Sequence, residues 1–64
     1  MSDIERILME CRYLLSLNKT YNELAGIMHV SVDTVYHDLN YKLKNYDSFL
    51  YQRVNKYLRQ NKYF

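Results

Sequence analysis

The sequence predicts an all-α fold, a small four-helix domain that contains a helix-turn-helix. The 64 residues include no Pro and a single Gly, Gly26, so the Gly-rich turns of β-hairpins are absent. Apolar residues recur at spacings of three and four, which is the period of a helix. Ser, Thr or Asp stands where each apolar series begins, as helix caps do. A chain this short forms one domain, which we expect to span residues 1–64.

The first predicted helix runs from Asp3 to Leu17. Ser2, with Glu5 three residues later, matches a capping box. The apolar face that follows is made of Ile4, Ile7, Leu8, Cys11, Leu14 and Leu15. Because Cys11 lies on this face, we expect the only cysteine to be a buried apolar residue rather than a nucleophile.

Two further helices are predicted over residues 20–43. Thr20 and Glu23 form a second capping box, and only about two turns fit before the next cap, Ser31. The apolar face after that cap consists of Val35, Leu39 and Leu43. Two helices joined by so short a turn, with a cap at the start of the second, are the geometry of a helix-turn-helix. The alternative is an ordinary small helical bundle, which uses Leu, Ala and Val at the same spacings.

The last predicted helix covers residues 47–61 and is basic. Either Asp47 or Ser48 can cap it, and its inward side chains are Leu50, Val54, Tyr57 and Leu58. Residues 1–17 have a net charge of −1, residues 18–40 of −2, and residues 41–64 of +5. This one-sided charge indicates a polyanionic partner. A solvated helix face explains the charge equally well.

The outward face of the third helix is the candidate for reading DNA bases. When Val35, Leu39 and Leu43 point inward, a rotation of about 100° per residue places the opposite side chains in solvent. The base-reading candidates are Ser31, Val32, Asp33, Tyr36, His37 and Asn40. Val32 is ambiguous, because it lies nearer the core side, although first-turn residues are often exposed.

The candidate side chains match the chemistry of base edges. Val32 can pack on a thymine methyl, Asn40 can pair with adenine, and Asp33 can accept from cytosine. Tyr36 or His37 can reach a base edge or a phosphate. The alternative for Asp33 is a purely structural role at the positive end of the helix dipole.

The third helix itself is not basic, so phosphate contacts must come from elsewhere. The backbone-binding candidates are Lys19, Thr20, Tyr21, Lys42, Lys44, Arg53, Lys56, Arg59 and Lys62. Tyr36 and Tyr41 can also hydrogen-bond phosphates, whereas stacking on single-stranded bases is typical of sheets. Asp38 has Lys42 four residues later, so we expect an exposed ion pair without a recognition role.

Other classes of function find little support. His29 and His37 lack thiol or carboxylate partners at ligand spacing, so no metal site is expected. We expect no enzyme, cofactor or small-molecule substrate, since no nucleophile, base and orienting group can be placed together. His29 occupies a turn position that favours a left-handed backbone. An acidic start and the lack of a 20-residue apolar stretch predict a cytoplasmic, nucleoid-associated protein without a membrane partner.

A set of short motifs resembles the stage III sporulation protein D family of bacterial transcription regulators. The motifs are Leu14-Leu15, Asn18-Lys19-Thr20, Leu24-Ala25, Val30-Ser31, Thr34-Val35 and Asp38-Leu39. The resemblance extends from about Arg12 to about Lys62. It implies sequence-specific binding of double-stranded DNA by a helix-turn-helix, aided by a basic C-terminal helix.

These features together predict a small bacterial transcriptional regulator that places its third helix in the major groove. The alternative is a protein-protein interaction or dimerisation module, which would use Tyr46, Tyr51, Tyr63 and Phe64. The sequence leaves open whether a single copy, a homodimer or tandem copies bind DNA.

Overall fold

The computed structural model describes residues 2–61, which form four helices. Helix α1 is Asp3–Leu17, α2 is Tyr21–Met28 and α4 is Ser48–Asn61. Helix α3 covers residues 32–46 and is continuous through a π-helical segment, Asp38–Lys42. The described residues contain no strand, so the predicted all-α, four-helix fold is confirmed.

The predicted caps of the first two helices are present. The Ser2 hydroxyl accepts the Glu5 N–H at 3.2 Å. At α2, Thr20 Oγ1 accepts the Glu23 N–H at 3.2 Å, while Glu23 Oε1 accepts the Thr20 N–H at 3.0 Å. This reciprocal pair satisfies two backbone donors that a helix start leaves open, and it sets where α2 begins.

The caps of α3 and α4 also follow the sequence. The Ser31 hydroxyl accepts the Thr34 N–H at 3.2 Å. Asp47 Oδ1 accepts the Leu50 N–H at 3.0 Å, so Asp47, rather than Ser48, caps the last helix. The aspartate also brings a negative charge to the positive end of the helix dipole.

The turn of the helix-turn-helix is closed by a left-handed residue. His29 has a φ of 57°, as the sequence predicts. The Val30 N–H donates to the Ala25 carbonyl at 3.0 Å and the His29 N–H to the Gly26 carbonyl at 3.4 Å. These two bonds form a Schellman motif, which ends α2 and redirects the chain into α3.

All four helices contribute to one apolar core. Its buried members are Ile7, Cys11, Leu14, Leu24, Ala25, Val35, Leu39, Leu43, Val54 and Leu58. Burial raises the pKa of the Cys11 thiol to about 12, so Cys11 serves as an apolar core residue, as expected. Ile4 and Leu8 differ from the expected apolar face, because they are 44% and 39% exposed. Leu8 lies between Ile7 and Glu10, which are buried, so the side chains of Ile4 and Leu8 are at the side of α1 rather than on its covered face.

The π-helical segment is not anticipated by the apolar spacing. The Leu43 N–H donates to the Asp38 carbonyl, five residues earlier. In a regular α-helix, Leu43 would be rotated by about 80° from Val35. The wider turn reduces that rotation, and both side chains are 0% exposed. The segment therefore keeps the whole length of α3 on the core.

We expect His29→Gly to stabilise the fold. A glycine removes the steric cost of the left-handed backbone, which should raise the free energy of unfolding by up to about 1 kcal/mol. Urea denaturation followed by circular dichroism measures this. His29→Ala is the matched control, because it keeps the Cβ and should bring no gain. An equal gain from both variants would contradict the explanation.

Candidate nucleic-acid interface

The predicted base-reading residues are mostly exposed on one side of α3. Val32 is 39% exposed and Tyr36 is 38% exposed, and Asp33 and His37 are exposed as well. The exposure of Val32 settles its ambiguous position in favour of solvent. Ser31 is also exposed, but its hydroxyl is engaged with the first turn of α3.

Asn40 is less exposed to solvent than its position on the helical wheel predicts. Its Nδ2 donates to the Tyr36 carbonyl at 2.9 Å and to the Tyr21 hydroxyl at 3.2 Å. The residue is half-buried, because the tyrosine at the start of α2 reaches across to α3. Both amide hydrogens are therefore used within the chain, and the side-chain oxygen is the group left to face a base.

Four rings form an aromatic patch, defined here as Tyr21, Tyr36, His37 and Tyr41. The Tyr36 ring meets Tyr21 edge to face at 6.2 Å and Tyr41 at 6.1 Å, measured between ring centroids. The His37 and Tyr41 rings lie 5.3 Å apart. Such ring contacts limit the side-chain conformations available to Tyr36 and His37. Burial raises the pKa of the Tyr21 hydroxyl, which keeps it protonated.

The sequence analysis did not include Tyr41 among the base-reading candidates, although Tyr41 belongs to this patch. It is 55% exposed and contacts the rings of both Tyr36 and His37. The available signal was its spacing of four residues from His37, which places two helical side chains side by side.

Two of the predicted phosphate-binding lysines are held in ion pairs. Lys19 Nζ lies 3.7 Å from Glu23 Oε2. Lys42 Nζ lies 3.5 Å from Asp3 Oδ2 and 3.7 Å from Asp38 Oδ1. The Lys19–Glu23 and Lys42–Asp3 pairs are exposed, so a phosphate would displace these two carboxylates at little cost in free energy.

The other predicted phosphate-binding cations within residues 2–61 form no ion pair with a carboxylate there. Lys44 Nζ lies 5.9 Å above the Tyr51 ring, a contact that connects the end of α3 to α4. Arg53, Lys56 and Arg59 are exposed and form no ion pair within residues 2–61. Lys62 lies outside the described residues.

The expectation that Asp38 forms an exposed ion pair is wrong, because its side chain is buried. It is 0% exposed, and its carboxylate accepts two hydrogen bonds from Arg6, from Nε at 2.8 Å and from the terminal nitrogen at 2.9 Å. The expected contact with Lys42 is present, but the pair is not exposed on the Asp38 side. The spacing within α3 reveals only Lys42, whereas Arg6 comes from α1, 32 residues away.

Glu10 is a second buried carboxyl that the sequence analysis did not single out. It is 0% exposed, and no donor of the described chain hydrogen-bonds either of its oxygens. Burial, reinforced by the neighbouring Asp38 carboxyl, raises the pKa of Glu10 to about 9. The raised pKa of this buried carboxyl favours its protonated form, which makes residues 1–17 less acidic than their formal charge of −1.

Residues 2–61 were compared with the requirements of a metal site and of a membrane-spanning helix. Within residues 2–61, no three His, Cys, Asp or Glu side chains are grouped as metal ligands. No helix among these residues has both the length and the apolar character needed to cross a membrane.

A comparison with protein families matches the chain to one family. The family model described as stage III sporulation protein D matches residues 3–64. The chain belongs to the stage III sporulation protein D family. Its members are sporulation transcription regulators, so the chain is a DNA-binding regulator at the level of the family. The comparisons with curated proteins and with solved structures return no match.

The stage III sporulation protein D match begins well before the resemblance seen in the sequence motifs. It includes the whole of α1, and therefore both Arg6 and Glu10. Helix α1 is thus part of the matched unit, together with the helix-turn-helix and α4.

We expect Asp38→Ala to destabilise the fold by about 3 kcal/mol, because it removes the bidentate partner of the largely buried Arg6 guanidinium and leaves only the exposed Asp3, 3.2 Å away, as a hydrogen-bonding carboxylate. Thermal unfolding followed by circular dichroism measures the loss. Lys19→Met is the control, since it breaks an exposed pair and should cost less than about 1 kcal/mol. Equal losses in the two variants would show that the buried pair has no special weight.

Proposed function

We propose that this protein is a transcriptional regulator that binds double-stranded DNA sequence-specifically, with α3 in the major groove. The observation that carries the proposal is the pairing of two surfaces. The exposed side of α3 presents Val32, Asp33, Tyr36 and His37, and the later half of the same helix packs against α4, whose cations form no ion pair with a carboxylate of residues 2–61. The first surface suits base edges, and the second suits phosphates.

The base-reading candidates include no lysine or arginine. Their side chains instead suit particular base edges. Val32 packs on a thymine methyl, and Asp33 accepts from the cytosine amino group. Asn40 offers its side-chain oxygen, because Tyr21 and Tyr36 hold its amide nitrogen. It therefore accepts from the amino group of adenine or cytosine without donating to N7 of adenine. This narrows the adenine pairing predicted from the sequence.

The phosphate-binding cations of α4 are not equivalent. Tyr51 lies under Lys44 of α3, whereas the Tyr57 hydroxyl bonds Asn18 at the end of α1. At about 100° per residue, Arg59 lies about 80° from Tyr51, while Arg53 lies about 40° from Tyr57. Arg59 is therefore nearer the side of α4 that adjoins α3, and Arg53 is nearer the side that adjoins α1. We assign the stronger phosphate contact to Arg59.

The other candidates contribute at the edges of the interface. Thr20 and Tyr21 stand at the start of α2, and Lys19 and Lys42 turn to phosphates when their ion pairs open. Duplex DNA is the proposed partner of the whole 1–64 unit, bound as one copy, a homodimer or tandem copies. The setting we propose is the nucleoid in the bacterial cytoplasm.

DNA affinity should fall steeply with salt. If about four phosphates are neutralised, the logarithm of the association constant should fall with a slope of roughly −3.6 against the logarithm of the salt concentration. Fluorescence anisotropy with a labelled duplex measures this slope. Arg59→Gln should make it shallower by about 0.9.

The control for the salt experiment is Arg12→Gln, which removes an exposed arginine of α1 that forms no ion pair in the described chain. It should leave the slope unchanged. A flat salt response of the wild-type protein would sink the proposal. An equal effect of Arg59→Gln and Arg53→Gln would overturn the assignment within α4.

Sequence preference should depend on Asn40 and on the hydroxyl that holds it. Tyr21→Phe frees one amide hydrogen of Asn40, so it should change the ranking of bases at one position. Selection from random duplexes measures the ranking, with Arg59→Gln as a control that weakens all sequences alike. An unchanged ranking in both Tyr21→Phe and Asn40→Ala would exclude Asn40 from base recognition.

A protein-interaction module is the second candidate, and two exposed rings favour it. Phe49 is 80% exposed and Tyr46 is 50% exposed, on either side of the turn into α4. Tyr51 is half-buried, and Tyr63 and Phe64 lie outside the described residues. Sedimentation of the pure protein with and without duplex separates the candidates, because a stable oligomer that ignores DNA supports the module.

A further inference from the structure

Glu10 lacks what a buried carboxylate needs. Its side chain is 0% exposed, and no N–H or O–H group of the described chain donates to it. The nearest cation, Arg6, is 4.0 Å away at Nε and already gives this hydrogen to Asp38. A charged Glu10 would therefore have neither water nor a hydrogen-bond donor around it, and this would lower the stability of the folded state.

A proton on Glu10 removes this conflict. The ion-pair network around Glu10 contains two cations, Arg6 and Lys42, and three carboxyls, those of Asp3, Glu10 and Asp38, so it is neutral when one carboxyl is protonated. The protonated oxygen becomes a donor, and Asp38, which lies against it, has acceptor capacity left after its two bonds from Arg6.

We propose that Glu10 is a positioning residue for α3, whose protonated carboxyl donates a hydrogen bond to Asp38 and, with Arg6, sets the rotation of that helix. The last step, from rotation to DNA recognition, rests on the proposed function. The proton and its effect on stability do not.

Asp38 is well placed for this role. It is the first residue of the π-helical segment, and its carbonyl accepts the N–H of Leu43. Its side chain is bonded to α1, while its backbone sets the wider turn of α3. The residues on either side of this point include Tyr36 and Asn40, so a change at Asp38 alters how both face a groove.

The charged groups around Glu10 determine how its proton responds to pH. Asp38 of α3 favours the neutral form, whereas Arg6 of α1 and Lys42 of α3 favour the charged form. Burial outweighs these and raises the pKa of Glu10 in the folded state to about 9, from an ordinary value of 4.5. The folded state therefore holds a proton that the unfolded state has released. The stabilisation is complete below about pH 4.5 and is lost as the pH rises towards 9.

The test uses the full chain with ¹³C-labelled glutamate. The resonance that disappears in Glu10→Gln is that of Glu10, and its titration should have a midpoint far above 4.5. The unfolding equilibrium constant of the wild type should rise between pH 5 and 8 by up to about tenfold per pH unit. Glu10→Gln should lack this added dependence, because its amide donates to Asp38 at every pH.

Glu5→Gln is the matched control, an exposed glutamate of the same helix. It should leave the pH dependence as in the wild type. An ordinary titration midpoint for Glu10, or equal pH dependence in the wild type and Glu10→Gln, overturns the proposal.

Glu10→Leu separates hydrogen bonding from simple filling of space. It keeps the volume and removes the donor, so it should shift the α3 amide resonances and weaken DNA binding, while Glu10→Gln should retain both. If the leucine variant matches the glutamine variant in these readouts, the hydrogen bond has no positioning role. If the leucine variant does not fold, the wild type and Glu10→Gln still decide by their pH profiles. Absence of DNA binding in every variant, the wild type included, overturns the proposed function alone.

Discussion

The bidentate bond between Arg6 and Asp38 is the constraint on which the orientation of α3 depends. The apolar core holds the four helices together, but contacts between aliphatic side chains have little directionality and tolerate small rotations. Two hydrogen bonds of 2.8 and 2.9 Å between a planar guanidinium and a carboxylate allow far less rotation. Since Asp38 is fully buried, the carboxylate has no water to turn to instead. The pair therefore ties α1 to one rotational setting of α3.

The π-helical segment and this ion pair are two aspects of one arrangement. The segment keeps Val35 and Leu43 on the core, and it begins at the residue that Arg6 holds. The free energy of unfolding of so short a chain is small, because its core is small. A buried polar cluster whose hydrogen bonds were not all formed would remove a large part of it. The proton on Glu10 brings the cluster to neutrality and provides it with another donor.

In the function we propose, affinity and specificity are divided between two helices on the outward side of the fold. Helix α3 presents rings, an aspartate and an amide whose hydrogens are already bonded, which discriminate among bases but attract phosphates weakly. Helix α4 presents arginine and lysine side chains without acidic partners in the described chain. The match to the stage III sporulation protein D family spans both helices.

The four helices, the caps of the first three and the turn between α2 and α3 were predictable from the order of the residues. Each of these depends on residues only a few positions apart, such as Thr20 with Glu23 or His29 after α2. The environments of Asp38 and Asn40 depend on how the helices pack, because Asp38 bonds a residue 32 positions away and Asn40 bonds one 19 positions away. The helical period places a side chain on a face of its own helix, but it carries no information about which side chain another helix brings to that face. A buried ion pair, a proton on Glu10 and a restrained amide all depend on such distant neighbours, and they emerge only once the helices have packed.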